Sequence, residues 1–335
     1  MTNTGKDALE RPLVTFSLLA YNQEKYIRKA VEGAFAQTYS PLEIILSDDC
    51  STDSTFSIIQ EMVADYHGRH RVQVIRNEKN LGLIGHINKV LSTVKTDWVV
   101  LAAGDDVSLD HRCQEIVERV RREPDLKGLF SGYIECDELL CPIRTVTPLQ
   151  ASNIGALQVC RGGGYVFPGA TFAIHQDCFT LFGPLRPRIL AEDWVLPLRA
   201  AVLGKIGFLK SSLVKKRGLS ESLTRVNKRI MGDILPKNSC PEEIYENLAT
   251  IRRAHRSGEI SLLKSKTLAI TIQLHWNIRC CECANEPVGT LRLLRGLASS
   301  FILMRLRDTI RLSENCLTLF LNKSRARSQE KCKNL

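Results

Sequence analysis

Two pairs of adjacent carboxylates stand out, Asp48-Asp49 and Asp105-Asp106, each following closely on a short apolar run (residues 44–46 and 98–101). Acids gathered at neighbouring strand ends repel one another, and such groups are held by a cation, by a hydrogen-bonding ligand or by raised pKa values. The cations suited to them are Mn²⁺ and Mg²⁺, which take oxygen ligands, Mg²⁺ typically through one or two carboxylates plus substrate phosphates. Either pair alone reads as well as a helix cap or a solvated turn. Both together, with Leu19-Ala20-Tyr21-Asn22 at a third strand end, point to a ligand site.

The elements that would position these residues follow one rhythm. Residues 13–19 read as a buried strand broken at Tyr21-Asn22, and Ile27, Ala30, Val31, Ala34 and Phe35 predict a helix from about residue 24. The second strand (44–46) stops at Ser47-Asp48-Asp49; Asp53 or Ser54 then caps a helix with Phe56, Ile59, Val63 and Tyr66 on its apolar face. Residues 72–75 form the third strand, Asn80-Leu81-Gly82 the turn after it, and Ile84, Ile87 and Leu91 mark the next helix. The fourth strand (98–101) leads through Gly104 to the second acid pair, a helix runs from about 109 to 122, and Leu129-Phe130 begin a fifth strand. Strands alternating with helices predict βαβ units and a mostly parallel sheet, and continuous apolar runs suit strands covered on both faces. Open sheets of this kind bind ligands at the carboxyl ends of their strands. After Cys136 the rhythm loosens: 137–165 reads as an excursion, 166–174 as strand-like, and a helix opens at Ala191-Glu192-Asp193. The predicted division is 1–225 and 226–335, the latter basic and mainly helical.

Composition bounds the rest. A chain of 335 residues with 44% hydrophobic and 24% charged side chains can bury a substantial core. No stretch has the roughly 18 apolar residues of a spanning helix, and the first residues lack an apolar secretory core. The twelve cysteines then read as reduced thiols, several of them buried, and the expected compartment is the cytoplasm. Of the net charge of +10, residues 226–335 carry a surplus of nine. Such a region invites nucleic acid or an anionic membrane surface. Its aromatics (Tyr245, Trp276, Phe301, Phe320) are too scattered for base stacking, so no nucleic-acid partner is expected.

The run VTFSLLAYNQEKYI from Val14, Gln37-Thr38-Tyr39, LEIILSDDCSTD from Leu42, NEKNLG from Asn77, AAGDD from Ala102 and AEDWVL from Ala191 together resemble family 2 glycosyltransferases. The resemblance covers about residues 12–225, in family order. It implies an α/β fold of GT-A type: a Rossmann-like, mostly parallel sheet flanked by helices, with a mainly helical C-terminal extension. It also implies roles. Leu19 and Tyr21 would line the nucleotide pocket and Asp48 would bind the base, usually uracil. Asn80, with Gly82 and Asn88, belongs to the donor-side turn and helix. Asp105 would contact ribose or phosphate, Asp106 the divalent metal (Mn²⁺ or Mg²⁺), and Gly169-Ala170-Thr171 would lie beneath the acceptor. Asp193 would be the catalytic base, with Glu192 orienting it. The implied reaction is an inverting transfer from a nucleotide-diphosphate sugar, UDP-linked, to a hydroxyl of a glycan or polyprenyl-linked acceptor in surface polysaccharide synthesis. A lipid-linked acceptor would place the protein at the inner membrane face, with the arginine-rich segment 291–312 in peripheral contact with anionic lipid.

One departure stands out. Relatives often carry a His after the base helix, whereas here the stretch is Lys215-Lys216-Arg217-Gly218-Leu219-Ser220 and no His occurs between His175 and His255. Lys216 or Arg217 is the expected diphosphate contact instead. The missing His keeps a catalytically degenerate relative in view. A metal-dependent nucleotidyltransferase-type enzyme is the other alternative, although it needs a basic glycine-rich loop where this chain has Tyr21-Asn22-Gln23-Glu24. Of the smaller signals, Cys280-Cys281-x-Cys283 lacks the paired motifs of a zinc site. Gly162-Gly163-Gly164 reads as linker or lid. His111-Arg112 either reaches a phosphate or forms the polar face of a helix, and His86 either contacts ligand or lies exposed.

Overall fold

The computed structural model describes residues 11–147, 153–160, 168–187, 189, 192–219, 241–269 and 271–272. Strands β1 (Val14–Ala20), β2 (Leu42–Asp48), β3 (Arg71–Arg76) and β4 (Trp98–Ala103) alternate with helices α1 (Ile27–Phe35), α2 (Thr55–Ala64) and α3 (Gly82–Thr93) and pair in parallel. Then come β5 (Val107–Ser108), α4 (Arg112–Arg122), β6 (Leu126–Cys136), β7 (Pro142–Val146), α5 (Ala156–Cys160), β8 (Phe172–His175), α6 (Asp177–Thr180), α7 (Leu196–Leu203) and β9 (Lys205–Arg217). Among the described residues one sheet has the order β3-β2-β1-β4-β8-β6-β9-β5, with β7 paired to β6. The expected α/β architecture is borne out, with one qualification. β8 runs antiparallel between β4 and β6, so the parallel half ends there and a second parallel pair, β6 with β9, begins beyond it.

Side chains on a strand alternate between faces, and here the alternation sorts them into two cores. Phe16, Leu18, Ile44, Leu46, Val100 and Ala102 pack under α1, α2 and α4. Ile45, Val99 and Leu101 face the other way, against α3, α7 and the helix Pro241–Arg256. Both faces are covered, which is why β4 is apolar throughout and β1 is buried even at its polar residues Thr15 and Ser17. The edge strand β3 is half exposed and alternates instead.

Three boundaries differ from the sequence reading for local reasons. α1 begins at Ile27 because residues 23–26 form a turn whose backbone bonds to the 51–55 loop. α4 begins at Arg112 because Val107 and Ser108 pair with β9 and the Leu109 N–H donates to the Leu213 carbonyl (2.9 Å). Of 166–174, the described part begins at Pro168, and strand begins at Phe172 after the 3-10 turn Gly169–Thr171. Six described cysteines are free thiols, four of them buried, and burial pushes those of Cys113, Cys160 and Cys178 up to about 12. Among the described residues no helix is long and apolar enough to cross a membrane. Segment 291–312, the Cys280–Cys283 cluster, Gly162-Gly163-Gly164 and the 225/226 division lie outside the described residues.

Candidate active site

The parallel register brings the three polar clusters together. Leu19 pairs with Ser47 on β2 and with Ala103 on β4, so Leu19–Asn22, Ser47–Asp49 and Gly104–Asp106 are neighbours along one end of the sheet. Side chains lace their loops. Asn22, in the left-handed region at φ 50°, accepts from Thr52 N–H (2.9 Å), and its own N–H donates to Ser51 Oγ (2.9 Å). Glu24 and the 53–54 turn exchange bonds: Glu24 N–H to Asp53 Oδ2 and Ser54 N–H to Glu24 Oε2. The Gly104 N–H donates to the Leu19 carbonyl (2.8 Å), and any Cβ on Gly104 would fall 2.3 Å from Gln23 Oε1. A larger residue there would have to displace the Gln23 amide. Leu19 is partly buried against the larger core, and Tyr21 is exposed.

The first acid pair is compensated by hydrogen bonds. Asp48 is fully buried; Ser51 donates to both its oxygens, by N–H to Oδ2 (2.9 Å) and by hydroxyl to Oδ1, and Arg76 Nε lies 3.6 Å from Oδ2. Asp49 accepts from Asn77 Nδ2 (2.7 Å) and Leu81 N–H (2.9 Å), both on Oδ1. Beneath them His86 is buried rather than exposed, bonded to Ser47 Oγ (2.7 Å), and burial holds its imidazole below the usual range. Asn80 caps the α3 turn through the Gly82 N–H (2.7 Å). Asn88 exchanges two bonds of 2.8 Å with Leu185 and so ties α3 to the segment ahead of α7.

The second pair is compensated differently. Asp106 is buried, and burial with the neighbouring Asp105 charge pushes its carboxyl up to about 7, against the opposing charges of Lys216 and Arg217. Lys216 and Arg217 are there because β5 pairs antiparallel with β9. The Arg217 N–H donates to Asp106 Oδ1 (2.8 Å), and its guanidinium donates to the Asp105 carbonyl. Arg112 does not reach outward. It is fully buried beneath the turn, with Nη1 on Ser108 Oγ (2.9 Å) and Nη2 on the Leu101 carbonyl (2.8 Å), spanning the loop that carries the acids. His111 is exposed and paired with Asp110. Arg112→Met strands two buried acceptors, so a loss of about 2 kcal/mol is expected in urea unfolding. An unchanged midpoint would show that the loop holds its shape without the guanidinium.

Asp193 lies in the 3-10 turn Glu192–Trp194 leading into α7. The antiparallel register of β8 on β4 carries Gly169–Thr171 alongside the C-terminal end of β4, the end that bears the acid pair. Glu192 packs directly on Gly169, where a Cβ would meet Glu192 Oε1 at 2.2 Å, and burial raises the Glu192 carboxyl above its usual range. The Glu192–Trp194 turn and the acid pair therefore share one end of the sheet. The structure also shows what the sequence reading left out: Tyr26 and Glu138 beside Arg217, and the single-sided bonding of Asp49. A polar Tyr after a loop carries no sequence signal of such a role.

Among the described residues there is no group of three or more His, Cys, Asp and Glu that could hold a metal. The Asp105-Asp106 oxygens nevertheless fit a hard divalent cation that takes one or two carboxylates and fills its shell with phosphate and water.

Residues 17–144, from within β1 into β7, match the family model described as Glycosyl transferase family 2. Over these residues the chain is similar to family 2 glycosyltransferases. An uncharacterized protein of Mycobacterium tuberculosis is 28% identical over 201 residues, 59% of this chain and 57% of the relative. Glycosyltransferase GlyG of Streptococcus pneumoniae serotype 4 is 30% identical over 127 residues, 38% of this chain and 40% of that one. The chain thus spans little more than half the length of the first of these relatives and less than half of the second. Among solved structures, S. aureus TarS 1-349 in complex with UDP-GlcNAc superposes with TM-score 0.52 at 15% identity, covering 86% of this chain and 87% of that one. The mannosyltransferase PcManGT from Pyrobaculum calidifontis, in complex with GDP-Man and Mn²⁺, gives 0.51 at 14%, covering 91% and 85%. At these identities the likeness is one of fold, and it is the GT-A-like fold.

Proposed function

We propose that the chain is an inverting glycosyltransferase that moves a sugar from a nucleotide-diphosphate donor, UDP-linked, to a hydroxyl of a glycan or lipid-linked acceptor, in synthesis of surface polysaccharide at the cytoplasmic side of the membrane. The observation that carries it is the Asp105-Asp106 turn, held by Arg217 at the end of β4 within the family-matched segment. The UDP-GlcNAc and GDP-Man bound by structural neighbours of the same fold support a nucleotide-sugar donor.

The donor would lie across the ends of β1, β2 and β4, with Leu19 and Tyr21 along the base and ribose and Asn80 at the donor-side turn. Asp48, with Ser51 donating to both its oxygens and Arg76 3.6 Å away, acts on the base by holding its turn. Asp49, bonded on Oδ1, is the acid of the pair that presents an oxygen to a base N–H. Asp105 contacts the nucleotide, and Lys216 brings positive charge to the diphosphate beside Asp106. A divalent cation held by Asp106 would neutralise charge developing on the leaving diphosphate. Asp193 takes the proton from the acceptor hydroxyl as it attacks the anomeric carbon, and Glu192, packed on Gly169, orients that turn.

A thermal-shift screen of UDP, GDP, dTDP and CDP, with and without Mn²⁺, tests the reading, since a ligand of the native state raises apparent stability. At 100 times its Kd a nucleotide contributes about 2.7 kcal/mol. One diphosphate should raise Tm only when Mn²⁺ is present. No response to any of the four would refute the donor site.

A further inference from the structure

Three separate loops meet at Arg217. Its main-chain N–H donates to Asp106 Oδ1 (2.8 Å), Nη1 to the Asp105 carbonyl, and Nε to the Glu138 carbonyl (3.0 Å) in the β6–β7 turn. The guanidinium lies 4.9 Å over the ring of Tyr26, in the turn ahead of α1. The Tyr26 hydroxyl in turn donates to Glu138 Oε1, which closes a ring of contacts around the acid turn. A guanidinium over an aromatic face is attracted by the ring quadrupole, and the contact strengthens as water is excluded. Arg217 is buried, so this holds. The bond to Glu138 pushes the phenol up to about 12, and Tyr26 stays a donor at neutral pH.

We propose that Tyr26 and Glu138 are positioning residues, which hold the Arg217 guanidinium on the Asp105 carbonyl and so set the direction of the Asp106 carboxylate in the donor site. The inference rests on the donor-site reading of the Asp105-Asp106 turn. It goes further in giving the arginine a different role, because with Nε and Nη1 on carbonyls Arg217 shapes the acids before it meets any phosphate. The chain that leaves β9 at Arg217 is pinned there as well, by the Gly218 N–H on the Cys136 carbonyl (2.8 Å).

The test uses the full chain as wild type, Tyr26→Phe, Tyr26→Leu and Glu138→Ala. Amide hydrogen exchange is followed over residues 103–108 and over β3, a strand remote from the ring, and Mn²⁺-dependent binding of UDP and GDP is measured by calorimetry. Tyr26→Phe keeps the aromatic face and loses one hydrogen bond, so binding within about threefold of wild type is expected. Tyr26→Leu loses both, and faster exchange confined to 103–108 with about tenfold weaker binding should follow, as for outer partners of a metal site. Glu138→Ala should fall between the two. Unchanged exchange at 103–108 in Tyr26→Leu would overturn the positioning role, and so would exchange that rises equally in β3, the mark of general destabilisation. Local loosening in Tyr26→Leu together with a wild type that binds neither nucleotide would leave the clamp standing and overturn the donor-site reading instead.

Discussion

Asp193→Asn should lower sugar transfer by about 10²–10⁴-fold while nucleotide binding stays at the wild-type level. The amide has the shape of the carboxylate and can still hydrogen-bond, but it cannot take a proton from an attacking hydroxyl. Asp193 sits in a turn at the same sheet end as the acid pair but on a separate element, and its proposed role is on the acceptor rather than on the nucleotide. Asp106→Ala should give the opposite pattern, with Mn²⁺-dependent nucleotide binding lost before chemistry can be measured. Glu192→Gln should cost less than Asp193→Asn, because Glu192 is packed on Gly169 and its raised carboxyl is already drawn toward the neutral form. The readout is release of nucleoside diphosphate from the donor identified by the thermal screen, beside the thermal shift itself. Normal transfer by Asp193→Asn would move the base elsewhere, with Glu192 the next candidate.

Much of this site was legible in the sequence because its first half is built from local rules. Strand, turn and helix alternate from Val14 to Ala103, so periodicity alone places Leu19, Asp48 and Asp105-Asp106 at strand ends, and a parallel register does the rest. What stayed hidden depends on contacts between residues far apart in the chain. Arg217 meets Asp106 across 111 positions through a two-residue strand, β5, too short to show as a pattern. Arg112 and Arg199 sit in helices where charged residues ordinarily face water, and nothing local marks them as buried. Adjacent acids look alike in sequence, whereas Ser51 donates to both oxygens of Asp48 and the Asn77 and Leu81 donors converge on Oδ1 of Asp49. The antiparallel β8 escaped because its four residues return through a segment with no rhythm of its own.

Glu246→Ala should be strongly destabilising, at about 3–5 kcal/mol, because it strips a buried cation of its partner. Glu246, on the helix Pro241–Arg256, is fully buried and receives Arg199 Nη2 at 2.7 Å, Arg186 Nε at 2.9 Å and Arg253 Nη1 at 3.3 Å. The three arginines are not equivalent. The side chains of Arg186 and Arg253 are 51% and 41% exposed and can turn to water, but Arg199 is 0% exposed and cannot. Arg199 also holds the Cys178 and Gly183 carbonyls, and Arg253 the Phe182 carbonyl, so the network fixes the segment from α6 toward the Asp193 turn. Arg186→Ala should therefore cost no more than about 1 kcal/mol, the usual worth of an exposed pair. The double variant Glu246→Leu with Arg199→Met should recover much of the loss of Glu246→Ala, since an apolar pair in place of a buried ion pair is often neutral. Thermal unfolding reads the series, with Glu246→Ala expected to lower Tm by about 4–7 °C. Equal losses for Glu246→Ala and Arg186→Ala would mean that the trapped charge on Arg199 is not what the glutamate answers.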